Sequence, residues 1–395
     1  MKDKKEKKQF IKGIIAGVLL STLVVVGFKF ATGDIFGKNI DKATAIKLQN
    51  IDRLIEEKYL YSDKIDQNAL KEGMIKGYIQ GLGDPYSAYY DKKEFKELTE
   101  STEGTFYGIG AQFNTATNEG FLTVVNVYEG SPAKKAGIRA GDVLTKVDGK
   151  DVGGMSAESV VSRIKGKNGG KVKLTFTRNK KDTYIVDVKR EKIEVPTVAY
   201  KMQRDNIGYI QITEFTGETA TQFNDAFVKL EKQGMVGLVI DLRNNPGGRV
   251  DTTGKILDKL LGKGPLVKVK DKNGKEEVLI DSDEKHKWNK PIVVLINGYS
   301  ASASELFAGA MQDYEAATII GTKSYGKGVV QQIFSINDGT GVKLTIAEYF
   351  TPKGHVVNKK GITPDIKVEE TRKTPEDPND AQLLKGFEVV KRQVR

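Results

Sequence analysis

The chain has 395 residues, a formal net charge of +11 and no cysteine. That length allows two or three domains with ample core, and the lack of cysteine excludes disulfides and thiol chemistry. The first twelve residues hold six lysines against Asp3 and Glu6; no basic patch interleaved with aromatics follows, so nucleic acid is not an expected partner, and the remaining positive charge suits an anionic membrane surface or wall polymer.

Residues 13–28, GIIAGVLLSTLVVVGF, form an uncharged apolar stretch between Lys12 and Lys29. The stretch is short for a span, and no small-x-small cleavage site follows, which favours an uncleaved signal anchor over a cleaved signal peptide. On this reading residues 1–36 are a basic leader plus a single-pass anchor in the cell membrane. The lysines stay in the cytoplasm and the rest of the chain is extracytoplasmic. Residues 37–103 are predicted to be mainly helical. Ile46, Leu48, Ile51, Leu54 and Ile55 give one helix-period stripe, Ala69–Leu82 gives another, and Gly83-Asp84-Pro85-Tyr-Ser-Ala-Tyr-Tyr90 breaks the pattern.

Residues 104–190 change character. β-rich runs at 121–127, 143–147, 172–177 and 184–188 surround a helical stretch at 156–164, with Gly-rich turns between them. This region resembles a PDZ domain, which captures a peptide by strand addition and seats its terminal carboxylate on backbone N–H groups. The resemblance makes Tyr107, Gly108, Ile109 and Gly110 the carboxylate-binding loop.

Strands and helices alternate over 191–372: strands at 207–212 and 236–242, helices at 218–232 and 251–262, a charged hairpin or loop at 266–288, and a strand at 342–350. Arg243-Asn-Asn-Pro-Gly247-Gly248 is a turn of the kind that exposes N–H groups. Residues 373–395 are charged and end in a helical stretch, read as a further dimer element. The expected fold class is therefore α/β and multidomain, with a β-rich PDZ domain and helical N- and C-terminal segments.

The most informative stretch is 291–332. Pro291–Ile296 reads as a buried strand, Asn297-Gly298 as a turn, and Leu306, Phe307, Ala310 and Met311 as a helix. The serines of Ser300-Ala-Ser302-Ala-Ser304-Glu305 lie at this junction, where a helix N-terminus favours developing negative charge. The plain reading of Ser302-x-x-Glu305 is a capping box. Gly321–Lys327 also matches half of a phosphate-binding loop, but Gly328 replaces the metal-holding Ser/Thr and a strand follows, which disfavours nucleotide. A Ser/His/Asp triad is poorly supplied, since the histidines are His286 in a charged segment and His355 in a turn. A lysine kept neutral by burial can act as base instead, and Lys327 stands between Gly326 and Gly328. If 327–331 is extended, Gln331 shares its face, and Gln332 is the competing candidate.

Gly298-Tyr-Ser-Ala-Ser302-Ala-Ser-Glu-Leu, followed by Gly326-Lys327-Gly-Val-Val-Gln331, resembles the carboxy-terminal processing, or tail-specific, proteases. The resemblance extends to the Gly83-Asp84-Pro85-Tyr-Ser segment. It implies Ser302 as nucleophile, Lys327 as base, Gln331 as the residue orienting that lysine, and Gly247 or Gly248 as oxyanion donor beside Ala303. It implies a crotonase-like core, pairing of the N-terminal helices into a homodimer, and protein or peptide substrates recognised by their free C-termini. At Lys165 the family often has an arginine thought to help switch the protease on. No metal or other cofactor is implied. The expectation is a membrane-anchored, PDZ-regulated serine endopeptidase. A non-catalytic PDZ adaptor and a small-ester hydrolase are the rivals.

Overall fold

The computed structural model describes residues 39–114, 120–179, 181–283, 288–372 and 379–394. The anchor at 13–28 and His286 lie outside them. Among the described residues no helix is long and apolar enough to cross a membrane. The chain forms two compact units: one of residues up to 96 with 330–346, the other of 97–329 with 347–395.

In the first unit, α1 (Lys42–Lys58) starts where Asp41 accepts a hydrogen bond from the Thr44 N–H, and α2 (Gln67–Gln80) where Asp66 caps Asn68 and Ala69. Neither helix buries a residue. Ile46, Ile51 and Leu54 of the predicted stripe are about half exposed, so among the described residues their apolar face is left uncovered. The Asp84-Pro-Tyr-Ser87 break is a turn in which Asp84 binds the Tyr86 N–H and the Ser87 hydroxyl. It leads into β1 (Ala88–Tyr90), which pairs antiparallel with residues 341–343. Helix α3 (Lys92–Glu103) follows.

The second unit holds the two β-containing domains. A short ladder joins β2 (Thr105–Gly108) to β9 (Glu191–Glu194). Between them lie β3 (Ala111–Asn114), β4 (Leu122–Val127), α4 (Pro132–Lys135), β5 (Val143–Val147), β6 (Lys150–Asp151), α5 (Ala157–Ile164), β7 (Lys171–Arg178) and β8 (Asp182–Lys189). The sheet order is β3-β4-β5-β7-β8, with β6 on β5. Leu122, Val124, Leu144, Val160, Leu174 and Phe176 fill its core. Alternation puts Val172 and Leu174 inward and Lys171 and Lys173 outward, the pattern of a half-buried sheet.

A second sheet runs in the order β10 (Val198–Met202), β11 (Ile207–Ile212), β12 (Gly237–Asp241), β15 (Ile292–Ile296), β16 (Thr318–Gly321) and β19 (Ile366–Lys367), parallel from β11 onward. β12 and β15 are buried at every position, as strands covered on both faces must be. The covering helices are α6 (Thr219–Lys232), α7 (Val250–Leu260), α8 (Ala303–Asp313) and α9 (Ala381–Val394). Val389 and Val390 of α9 pack with Val239, Val293 and Leu295, and Gly386 lets the helix approach that surface closely. The C-terminal helix, expected as a dimer element, lays an apolar face on the sheet of its own chain. The charged segment at 266–288 contains the hairpin of β13 (Gly264–Asp271) and β14 (Glu276–Ser282). β17 (Val329–Ser335) and β18 (Gly341–Phe350) pair and cross the boundary between the units.

Candidate active site

The site forms where two adjacent parallel strands end. β12 runs into the turn Arg243–Gly248, and β15 into Asn297–Ser302, at the carboxyl edge where open α/β sheets bind their ligands. Reciprocal hydrogen bonds tie the turns together. Asn297 Oδ1 accepts from the Asn244 N–H at 3.0 Å, and Asn297 Nδ2 donates to Asn244 Oδ1 at 2.9 Å. The outer serines of the Ser-Ala-Ser-Ala-Ser run complete the stitching: Ser300 Oγ donates to the Leu242 carbonyl at 2.7 Å and Ser304 Oγ to the Asn245 carbonyl at 3.0 Å. Two of the three serines are therefore structural, and Ser302 stands between them.

Ser302 has φ +56° and ψ −115°, outside the regions that an L-residue favours. A non-glycine residue in such a conformation is costly and is held only by over-determined surroundings. The strand–turn–helix placement puts it at the N-terminus of α8, where unpaired N–H groups accumulate.

Glu305 supplies much of the restraint. Its side chain is fully buried. The Glu305 half of the capping box forms, with Glu305 Oε2 accepting the Ser302 N–H at 2.8 Å. The same oxygen accepts the Lys327 N–H at 2.8 Å, so the two main-chain nitrogens lie no further apart than twice that distance. Oε1 takes the Gly326 N–H at 2.7 Å and the Ser324 hydroxyl at 2.6 Å. Four donors around one carboxylate compensate its desolvation and fix the Gly-rich loop against the start of α8.

That loop is not a phosphate cradle, since the N–H groups of Gly326 and Lys327 point to Glu305 and a strand follows. Tyr349, buried in β18, donates its hydroxyl to the Lys327 carbonyl and its N–H to the Gly328 carbonyl. A Cβ on Gly328 would lie 2.1 Å from the Asn358 nitrogen, so glycine is required there for the close approach of backbone. His355 sits by Asp313 at the C-terminal end of α8, with Nδ1 2.9 Å from Asp313 Oδ1. The length of that helix, about 16 Å, separates it from Ser302.

Gly247 packs directly on the nucleophile candidate: an added Cβ would lie 2.8 Å from Ser302 Cβ and 2.9 Å from the Ala303 nitrogen. Its own N–H donates to Asn245 Oδ1 at 2.8 Å. Between the two glycines proposed as oxyanion donors, Gly247 is thus already engaged. The N–H groups of Gly248 and Ala303 have no hydrogen bond among the described residues.

Residues 206–368 match the family model "Peptidase family S41", residues 123–178 a "PDZ domain" model, and residues 34–94 "Activating protease CtpB N-terminal domain". The chain is 39% identical over 370 residues to "Carboxy-terminal processing protease CtpA" of Bacillus subtilis (strain 168), covering 93% of this chain and 78% of the relative. The chain belongs to the carboxy-terminal processing serine proteases of this peptidase family. It is also 37% identical over 366 residues to "Probable CtpA-like serine protease" of Staphylococcus aureus (strain MSSA476), covering 91% and 72% of the two chains. The solved structure "Photosystem II D1 C-terminal processing protease" matches at 29% identity and a TM-score of 0.48, over 88% of this chain and 91% of that one.

This serine peptidase thus combines a mixed α/β peptidase fold of several sheets with a PDZ domain. In the PDZ loop Gly108, Ile109 and Gly110 are buried and Tyr107 is exposed. The Ile109 carbonyl accepts the Ala133 N–H, and the Gly110 carbonyl accepts the Tyr128 N–H. Lys165 is ion-paired with Glu100 at 2.8 Å, and its ammonium lies over the Phe106 ring. Gln331 belongs to the unit that contains residues 330–346, and its amide nitrogen donates to Thr345 Oγ1 at 3.4 Å. β17 starts at Val329, so strand alternation covers Val329 and Gln331 and does not extend back to Lys327.

Sequence reasoning read Glu305 only as a cap and missed its bonds to the distal loop. It also missed Asn297, Tyr349 and the Arg243 cluster. The S-x-x-E spacing was the one local signal for any of them.

Proposed function

We propose that this protease cleaves protein substrates with a Ser302/Lys327 dyad. Ser302 attacks the scissile carbonyl, and neutral Lys327 takes its proton. The N–H groups of Gly248 and Ala303 receive the oxyanion, while Gly247 shapes the turn. Gln331 joins them on the family resemblance, four residues after the lysine. The observation that carries this reading is the single Glu305 oxygen bound by both the Ser302 and Lys327 N–H groups. It brings together the main chains of two residues 25 positions apart, which supports lysine as the base.

The proposal extends to the rest of the chain. A PDZ domain over 104–190 seats substrate C-termini on Tyr107–Gly110 and regulates a protease domain over 191–372, whose core is crotonase-like. Residues 13–28 anchor the chain in the cell membrane with its catalytic part extracytoplasmic. The uncovered apolar faces of α1 and α2 support a homodimer built from the N-terminal helices.

The test is cleavage of an unstructured protein by the full-length chain, with fragments mapped and with the substrate C-terminus either free or amidated. The reading predicts internal cuts, slower for the amidated form because the N–H cradle loses its anion. Binding without turnover would establish the adaptor instead, and ester hydrolysis without peptide cleavage the small-ester hydrolase.

A further inference from the structure

The turn proposed to stabilise the oxyanion begins at Arg243, whose guanidinium is sealed inside the protein at 2% exposure. Its Nε and Nη2 donate to the two oxygens of Asp241, at 2.9 and 2.6 Å, and the Arg243 N–H also binds Asp241 at 3.0 Å. Tyr209 donates its hydroxyl to the same carboxylate at 2.9 Å. The remaining arm of the fork reaches far along the chain. Nη1 donates to Asp380 Oδ1 at 2.8 Å and to Gln382 Oε1 at 3.1 Å.

Those two acceptors sit at the start of α9. Asp380 caps the helix by accepting the Leu383 N–H, and Gln382, fully buried, donates to the Val368 carbonyl. Burial pushes the Asp380 carboxyl up, but the Arg243 guanidinium and the helix N–H outweigh it and hold the group below the ordinary carboxylate range.

We infer that the start of α9, from Asp380 to Gln382, is a positioning element of the active site, with Asp380 the positioning residue that acts through Arg243 on the 243–248 turn. A planar guanidinium presents its five donors in a rigid fork, so acceptors that engage its separate nitrogens fix the side chain relative to its own backbone. Asp241 takes Nε and Nη2 from the strand that leads into the turn. Asp380 and Gln382 take Nη1 from a helix docked against the same sheet. Removing Asp380 leaves a buried cation under-compensated, which reorients the side chain or admits water. Either response shifts the turn that packs against Ser302. This inference rests on the reading of that turn as the oxyanion site.

The experiment uses the full-length chain and a peptide substrate, with kcat and KM read separately. The variants are Asp380→Ala, Asp380→Asn, Gln382→Ala and Ser302→Ala. Lys391→Ala serves as control: it lies on the same helix, and its half-exposed ion pair with Asp205 contributes little. A substrate-like peptide aldehyde, which forms a charged hemiacetal on the serine, is compared with the matching alcohol. Asp380→Ala should lower kcat at least about tenfold and weaken the aldehyde by a similar factor, since misplacing a donor costs less than the 10²–10³ of deleting one. KM and alcohol binding should stay within about twofold, and Lys391→Ala should match wild type. Gln382→Ala and Asp380→Asn should fall between Asp380→Ala and wild type. Asp380→Asn keeps an acceptor and decides with the same readouts if Asp380→Ala does not fold. Wild-type kcat in the folded Asp380 variants overturns the inference, as does an equal loss of aldehyde and alcohol binding. Full activity in Ser302→Ala instead sinks the active-site reading, whereas an inactive Ser302→Ala beside a fully active Asp380→Ala sinks only the brace.

Discussion

Glu305 and Lys327 are joined by a hydrogen bond of 2.8 Å from the lysine N–H to the buried carboxylate, across 22 positions of sequence. A residue that looks like a helix cap is therefore also the anchor of the loop that carries the proposed base. Glu305→Gln retains size but replaces one acceptor oxygen with an NH₂ that faces donors. Opposing donors cannot both be satisfied, and the cost of one unmet buried group is about 1–3 kcal/mol. The expected outcome is a folded protein with a lower melting temperature and turnover reduced at least about tenfold. Thermal denaturation and steady-state kinetics on one preparation check it.

Gly247 gives a sharper steric test. Its φ is +106°, and a Cβ would sit 2.7 Å from the Ala301 carbonyl as well as against Ser302. Gly247→Ala should abolish measurable turnover. Gly234 has φ +85° with nothing near its missing Cβ, so Gly234→Ala should cost about 1 kcal/mol through backbone strain and leave kcat unchanged. Equal effects of the two substitutions on kcat would show that the contact at Ser302 is unimportant.

The PDZ domain carries its own acid sensitivity. Asp142, almost wholly buried, binds Arg178 through both oxygens at 2.7 and 2.8 Å, the Tyr184 hydroxyl at 2.8 Å and the Arg139 N–H at 2.7 Å. Burial pushes its carboxyl up, but these partners outweigh it and leave the group below its ordinary value of 3.8. The same carboxylate, after burial, pushes the Tyr184 phenol up to about 12, so it remains a donor. A depressed carboxyl contributes stability that is present above the unfolded value and is lost as pH falls through the folded one. Asp142→Asn should lower the stability of the domain near neutrality, because it leaves the partly exposed Arg178 cation without its charged partner. It should also flatten the loss of stability below about pH 4. Denaturant melts at several pH values read both effects.

Much of the architecture was legible because local pattern and global fold agree. β15 and α8 follow from a run of β-branched residues and a 3.6-residue stripe, and the PDZ strands follow from alternation between glycine turns. What stayed hidden is set by distant partners. β1, β10 and β19 are short strands that exist only because a neighbour supplies their ladder, so Ala88–Tyr90 read as part of a break. Residues 330–346 group with the N-terminal helices, which no composition shift marks. The three serines of the motif look alike in sequence. They separate only when Leu242 and Asn245 are placed beside them. Arg243 and Asp380 lie 137 positions apart, beyond any local signal. A face shared by Lys327 and Gln331 requires an extended 327–331, whereas the lysine lies in a loop pinned by Glu305 and Tyr349.

The central claim is that Ser302 and a neutral Lys327 perform the chemistry, and turnover of an unstructured protein by wild type, Ser302→Ala and Lys327→Arg between about pH 5 and pH 9 tests it most directly. Wild-type activity should rise with pH as the amine sheds its proton. Both variants should melt as wild type does, because Glu305 and Tyr349 hold residue 327 by its main chain. Both should lose at least about 10³-fold in kcat, Lys327→Arg because a guanidinium stays charged at every working pH. Near-wild-type turnover in folded Lys327→Arg, or in folded Ser302→Ala, would contradict the account.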